Sequence, residues 1–100
     1  MRETTIDQLA AALDQGSPVV DVGEPAEFRK GHVPGATNIP MGQLNARLDE
    51  IDRDRPVHVV CATGNRSSAM ADVLTANGFD ATNVAGGTNA WIRSGRPIEK

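Results

Sequence analysis

The sequence predicts an α/β fold, a small parallel sheet of about five strands with helices on both faces. Three observations carry that prediction. Short apolar, β-branched runs at Pro18–Val22, Val57–Val60 and Ala81–Val84 alternate with stretches whose apolar residues recur at helical spacing. The first two runs are nearly continuous in apolar character, as in strands covered on both faces. The segments between the runs are long enough for the crossovers that parallel pairing requires. One hundred residues make one small domain, spanning 1–100, with no room for a second core.

Composition narrows the function. A formal charge of −3 argues against a nucleic-acid module, which needs a basic face. No window approaches the roughly 20 apolar residues of a membrane span, and Met1-Arg2-Glu3-Thr4 lacks an apolar signal region. Only Phe28, Phe79 and Trp91 are aromatic, so Val, Leu, Ile and Ala must build the core. The single cysteine allows no internal disulfide and no multi-thiolate metal site, and a reducing, cytoplasmic setting is the expectation.

Taken in order, a weak edge strand precedes Thr5-Ile6-Asp7-Gln8, which has the form of a capping box. Ile6, Leu9, Ala10 and Leu13 continue that helix to a stop at Gly16. The strand at 18–22 leads through Gly23 into a compact helix over 24–31, with Pro25 in its first turn. Its acids lie at the N-terminal end and its bases at the C-terminal end. His32-Val33-Pro34-Gly35-Ala36 is turn chemistry, and Thr37-Asn38-Ile39 is a brief strand. Leu44, Leu48 and Ile51 mark a helix, and the solvated loop 52–56 leads into the strand 57–60. After the cysteine, a helical pattern enters at Ser67 and presents Ala69, Met70, Val73 and Leu74 as its apolar stripe. Asn77-Gly78-Phe79 stops it, Ala81–Val84 is the last strand, and Gly86-Gly87 turns into a short helix holding Trp91 and Ile92. Ligands of parallel α/β sheets collect beyond the carboxyl ends of the strands, where Asp21, Cys61 and Gly86-Gly87 all fall.

The stretch Cys61-Ala62-Thr63-Gly64-Asn65-Arg66-Ser67 carries the chemistry. A lone cysteine ending an apolar strand is ordinarily a small buried hydrophobe. The neighbours reverse that judgement. Gly64 and Asn65 suit a tight loop whose N–H groups form an anion-binding nest, and Arg66 adds a fixed positive charge. Ser67 is a candidate helix cap, and Thr63 and Ser68 offer further hydroxyls. Such surroundings favour thiolate over thiol, which makes Cys61 the candidate nucleophile. Cysteine phosphatases and arsenate-reductase-like enzymes place their arginine one residue further on, at the position of Ser67 here. The smaller loop suits a thiolate carrying one extra sulfur better than a phosphoryl group.

This loop resembles the active loop of the rhodanese family of sulfurtransferases in its single-domain form. Asp21-Val22 with Glu27-Phe28 and Gly31-His32-Val33-Pro34-Gly35-Ala36 is similar to the family's N-terminal motif, and Gly86-Gly87 with Ala90-Trp91 to its C-terminal one. The resemblance covers nearly the whole chain. It implies a ping-pong reaction in which Cys61 takes the outer sulfur of thiosulfate or a persulfide and passes it to a thiol or cyanide, with no metal or organic cofactor. It also implies a thioredoxin-like or sulfur-relay protein as partner. A carrier module that relays sulfur without turnover would need the same cysteine and is the alternative reading.

Two positions depart from the family's pattern. Ala62 stands where many members have arginine directly after the nucleophile, and Gly23 where arginine commonly follows Asp-Val. Two positive charges are thus missing from the mouth. Asp21 is placed to orient Arg66, to bond loop amides, or to serve structure alone. His32 reads as a structural residue of its motif, His58 as a strand residue facing a helix or the sheet margin, and Trp91 as a core anchor.

Overall fold

The computed structural model describes residues 2–100. Its elements are β1 (Arg2–Thr4), α1 (Ile6–Asp14), β2 (Val19–Asp21), α2 (Pro25–Lys30), β3 (Thr37–Asn38), a 3-10 segment (Met41–Glu50), β4 (Val57–Val60), α3 (Asn65–Ala76), β5 (Ala81–Val84) and α4 (Gly87–Arg93). The five strands form one sheet in the order β1-β5-β4-β2-β3, and every pairing is parallel. The α/β architecture predicted from the sequence is the one observed.

Strand pleating splits the core in two. Val20, Val57, Val59 and Ala81 face one side of the sheet, where Leu44, Ala71, Leu74 and Phe79 complete a cluster. Val19, Val60 and Val84 face the other, against Leu9, Val33 and Trp91. Burial on both faces explains why the strand sequences lack polar alternation.

Local chemistry sets the element ends. Thr5 Oγ1 accepts the Gln8 amide at 3.1 Å while Gln8 Oε1 accepts the Thr5 amide at 2.9 Å, so the capping box forms in full. At the end of α3 the Phe79 amide donates to Leu74 O at 3.0 Å and the Gly78 amide to Thr75 O at 3.1 Å, folding Phe79 back into the core.

Three details differ from the sequence reading. The stretch marked by Leu44, Leu48 and Ile51 is 3-10 helix with a break at Arg47 (φ −125°), because it only has to place Leu44 and Ile51 under the sheet. Helix α3 begins at Asn65, capped by Gly64, so Ser67 lies inside the first turn and is not the cap. Of the expected stripe, Leu74 is buried and Met70 and Val73 pack partly buried against the same cluster, but Ala69 is exposed, and the fully buried line of the helix is Ser67, Ala71 and Leu74, at i, i+4 and i+7.

The topology creates the site. From β2 the chain moves outward to β3, and from β4 it moves the opposite way to β5. The loops after β2 and β4 therefore diverge and leave a crevice between them. Asp21 pairs with Val60 in the ladder, so Asp21 and the residue after Val60, Cys61, share that edge.

Candidate active site

Cys61 follows β4 directly and is fully buried. Its Sγ lies 3.2 Å from the Gly64 amide, 3.5 Å from the Ser67 amide and 3.4 Å from Ser67 Oγ. The loop closes into this ring because Gly64 takes a left-handed conformation (φ +101°), turning the chain sharply into α3. Burial pushes the Cys61 thiol up. The Ser67 hydroxyl and the amides of Ser67, Gly64 and Thr63 outweigh it and hold the thiol below its ordinary value. Iodoacetamide alkylation is therefore expected to follow a pKa below the ~8.5 of free cysteine, and Ser67→Ala should move that pKa upward. Because the folded pKa is depressed, ionisation of Cys61 supports the fold at higher pH, and that support is lost as pH falls through the folded value. An alkylation profile in Ser67→Ala that matches the parent would remove the hydroxyl from this account.

Ser67 Oγ also lies 2.6 Å from Asn83 Oδ1, an atom that can only accept, so the hydroxyl's single proton is shared between sulfur and amide oxygen. Asn83 Nδ2 in turn donates to Gly64 O at 3.3 Å and to Glu3 Oε2 at 3.2 Å, which fixes the amide's orientation. Asn83 is almost fully buried in β5 and ties the loop to the sheet. Sequence reasoning passed over it. A lone amide in a buried strand is the signal that could have found it, since buried polar groups need partners.

Arg66 donates to both carboxylate oxygens of Glu27, at 2.7 and 2.8 Å. The hydrogen bond from Arg66, reinforced by the Glu24 amide, holds Glu27 down at about 2. The pair thus stays ionised across the working pH range. Glu27, not Asp21, is the partner of Arg66, because α2 carries Glu27 across the mouth while Asp21 remains in β2. Asp21 Oδ1 accepts the Gly23 amide at 2.8 Å, and burial pushes its carboxyl up despite that bond. Asn38 Nδ2 bridges Asp21 O and Gly23 O at 2.9 Å each, stiffening the turn after β2.

The C-terminal glycines close the loop from behind. The Thr88 amide donates to Cys61 O at 2.9 Å and the Asn89 amide to Ala62 O at 3.0 Å. A Cβ on Gly87 would lie 2.2 Å from Cys61 O, so only glycine admits this approach, whereas one on Gly86 would meet Ala90 Cβ at 2.7 Å.

His32 is buried against Phe28 of α2. Its Nδ1 lies 2.7 Å from Phe28 O, and its ring stacks on Phe28 with centroids 3.5 Å apart. His58 is half-buried on β4 and its Nδ1 has no hydrogen-bond partner; burial lowers its pKa. Trp91 is buried in the core and its indole N–H donates to Pro97 O at 2.8 Å. Among the described residues no cluster of His, Cys, Asp and Glu could hold a metal ion, and no helix is long and apolar enough to cross a membrane.

Fold and loop together define a parallel α/β domain with one cysteine in a ring of hydrogen-bond donors at the carboxyl edge of its sheet. The model of the rhodanese-like domain matches residues 5–94, and the chain belongs to that family. A sulfurtransferase of Allochromatium vinosum is 38% identical over 80% of this chain and 76% of its own length. An uncharacterized protein of Bacillus subtilis, YqhL, is 43% identical over 91% of this chain and 72% of its own. The crystal structure of a rhodanese-related protein from Thermoplasma volcanium superposes with a TM-score of 0.93 at 32% identity, covering 99% of this chain and 98% of that one.

Proposed function

We propose that this protein is a sulfurtransferase that moves a sulfane sulfur through a persulfide on Cys61. The observation that carries the reading is the ring of Gly64 N–H, Ser67 N–H and Ser67 Oγ around Sγ. It stabilises a thiolate now and an extra anionic sulfur later, with four residues between Cys61 and Arg66 setting its size. The thiolate attacks the outer sulfur of a donor R–S–S⁻ or thiosulfate. The S–S bond of the donor breaks, its electron pair leaves with the thiolate or sulfite, and Cys61 becomes Cys–S–S⁻. A thiolate or cyanide then attacks that outer sulfur and the electron pair returns to Cys61. Splitting the transfer into two displacements is covalent catalysis, and each step conserves charge without an added oxidant.

Intact mass spectrometry after incubation with thiosulfate, and separately with a small persulfide, tests this directly. The expected result is addition of one sulfur atom, absent in Cys61→Ser and removed by cyanide or thiols. No sulfur gained from any donor would sink the reading, and sulfur gained but not turned over with cyanide or small thiols would favour the carrier reading.

Ala62 and Gly23 bear on the donor. Arg66 is engaged by Glu27 and neither position carries an arginine, so two charges that could meet a dianion are missing from the mouth. Ala62→Arg is expected to lower the KM for thiosulfate about tenfold, the effect of one favourable charge contact. A parent KM already as low as the variant's would refute the charge argument.

A further inference from the structure

One buried proton lies between two acceptors beside the reactive sulfur. Ser67 Oγ is 2.6 Å from Asn83 Oδ1 and 3.4 Å from Cys61 Sγ. A hydroxyl has one proton to donate, so it serves the amide oxygen or the sulfur and not both in full. Cys61 and Ser67 are 0% exposed and Asn83 1%, so bulk water does not stand in for the donor when it is withdrawn from either. The amide cannot escape this contest by turning over. Its Nδ2 donates to Gly64 O at 3.3 Å and to Glu3 Oε2 at 3.2 Å, a carbonyl and a carboxylate that only accept, and the flipped amide would set oxygen against oxygen there. Strand pairing places Glu3 for this, since it stands opposite Asn83 in the ladder of β1 and β5.

Sulfur transfer changes which acceptor prevails. On a free Cys61 thiolate the negative charge sits on Sγ, which draws the hydroxyl from Asn83 and leaves a buried amide oxygen without its donor. When that thiolate attacks a sulfur donor, a bond forms from Sγ to the outer sulfur. The donor's own S–S bond breaks, and its electron pair leaves with the thiolate or sulfite. The charge then rests on the terminal sulfur, Sγ becomes a weak neutral acceptor, and the hydroxyl returns to Asn83. We propose that Asn83 is a positioning residue for sulfur transfer, which competes for the Ser67 proton and so favours the persulfide-loaded form over the free thiolate. This rests on the sulfur-transfer reading and divides the work of the ring, the hydroxyl answering to the thiolate and the loop amides to the added sulfur. A buried oxygen deprived of its hydrogen bond raises the energy of the thiolate beside it, so Cys61 stays reactive within a nest that would otherwise hold it too well.

Asn83→Leu removes the competing acceptor and keeps the charges at this end of the sheet, Arg66 on α3, Glu27 on α2, Asp21 on β2 and Glu3 on β1. Helix α4 brings the uncharged Thr88 and Asn89 to the loop. The alkylation pKa of Cys61 is expected to fall by about one pH unit, the worth of one hydrogen bond to a charged group. At a pH above both values sulfur uptake should slow about threefold, since nucleophilicity falls with thiol pKa. The uptake equilibrium with a small persulfide should move about tenfold toward the free thiolate. In a Ser67→Ala background the same substitution should change none of these, because no proton is left to compete for. A loosened loop would act with or without Ser67, so equal effects in both backgrounds, or the parent's pKa in Asn83→Leu, would overturn the proposal. A measurement on the parent protein decides the matter if Asn83→Leu does not fold. The side-chain carbonyl carbon of Asn83 is expected at one NMR position in the neutral thiol and the loaded form and at another in the free thiolate. One position in all three would equally overturn the proposal. Failure of Cys61 to take up sulfur from any donor would instead remove the reading beneath it.

Discussion

Gly87→Ala is expected to lower stability by about 3 kcal/mol and to slow sulfur loading of Cys61 about 10²-fold. Gly87 has φ +61°, which alone disfavours alanine by about 1–2 kcal/mol. The greater cost comes from the new methyl, which would approach to 2.2 Å from Cys61 O and 2.7 Å from Ala62 O. Those atoms are backbone of the cysteine loop and can retreat only by opening it. Gly95→Ala is the control. Its φ of +81° is strained in the same way, but nothing lies within 4 Å, so it should lose only the stability that the backbone angle costs and load sulfur normally. Chemical denaturation and the rate of sulfur uptake measure both effects. Equal losses in the two variants would show that the close approach plays no part.

Arg66→Gln is expected to reduce transfer from anionic donors about 10²-fold, comparable to removing one donor from an oxyanion site. Two losses combine in it. The guanidinium, whose charge reaches Cys61, disappears, and the Glu27 carboxylate is left uncompensated at the mouth. The thiol pKa should rise accordingly in an alkylation profile. Glu27→Gln works in the opposite direction, since it releases the guanidinium toward an incoming anion, and should speed thiosulfate turnover. If both variants lost activity alike, the ion pair would be structural and not a modulator of donor charge.

These expectations depend on contacts that sequence spacing does not reveal. The strands were legible because β-branched runs at 18–22, 57–60 and 81–84 bury on both faces, and periodicity is a direct consequence of burial. The capping box at Thr5 was legible because it involves only neighbours in sequence. The start of α3 was not. Ser67 has the chemistry of a cap, but the positive φ of Gly64 had already turned the chain, leaving the serine to face sulfur and Asn83. The partner of Arg66 was equally hidden. Glu27 lies 39 positions away and Asp21 is also close to the mouth, so only the path of α2 decides between them.

A peptide group is a rigid plate with its oxygen on one edge and its hydrogen on the other. Helix α4 grips two such plates by their oxygens, those of Cys61 and Ala62. The opposite edges carry the N–H groups of Ala62 and Thr63, and holding the oxygens outward turns these hydrogens to the loop side. Thr63 N–H is among the groups that draw the thiol's pKa down. The polarity of the sulfur's surroundings is therefore set by a helix on their outer side, before any donor arrives. An added sulfur would enter a field already pointing the right way, with no backbone rotation left to perform.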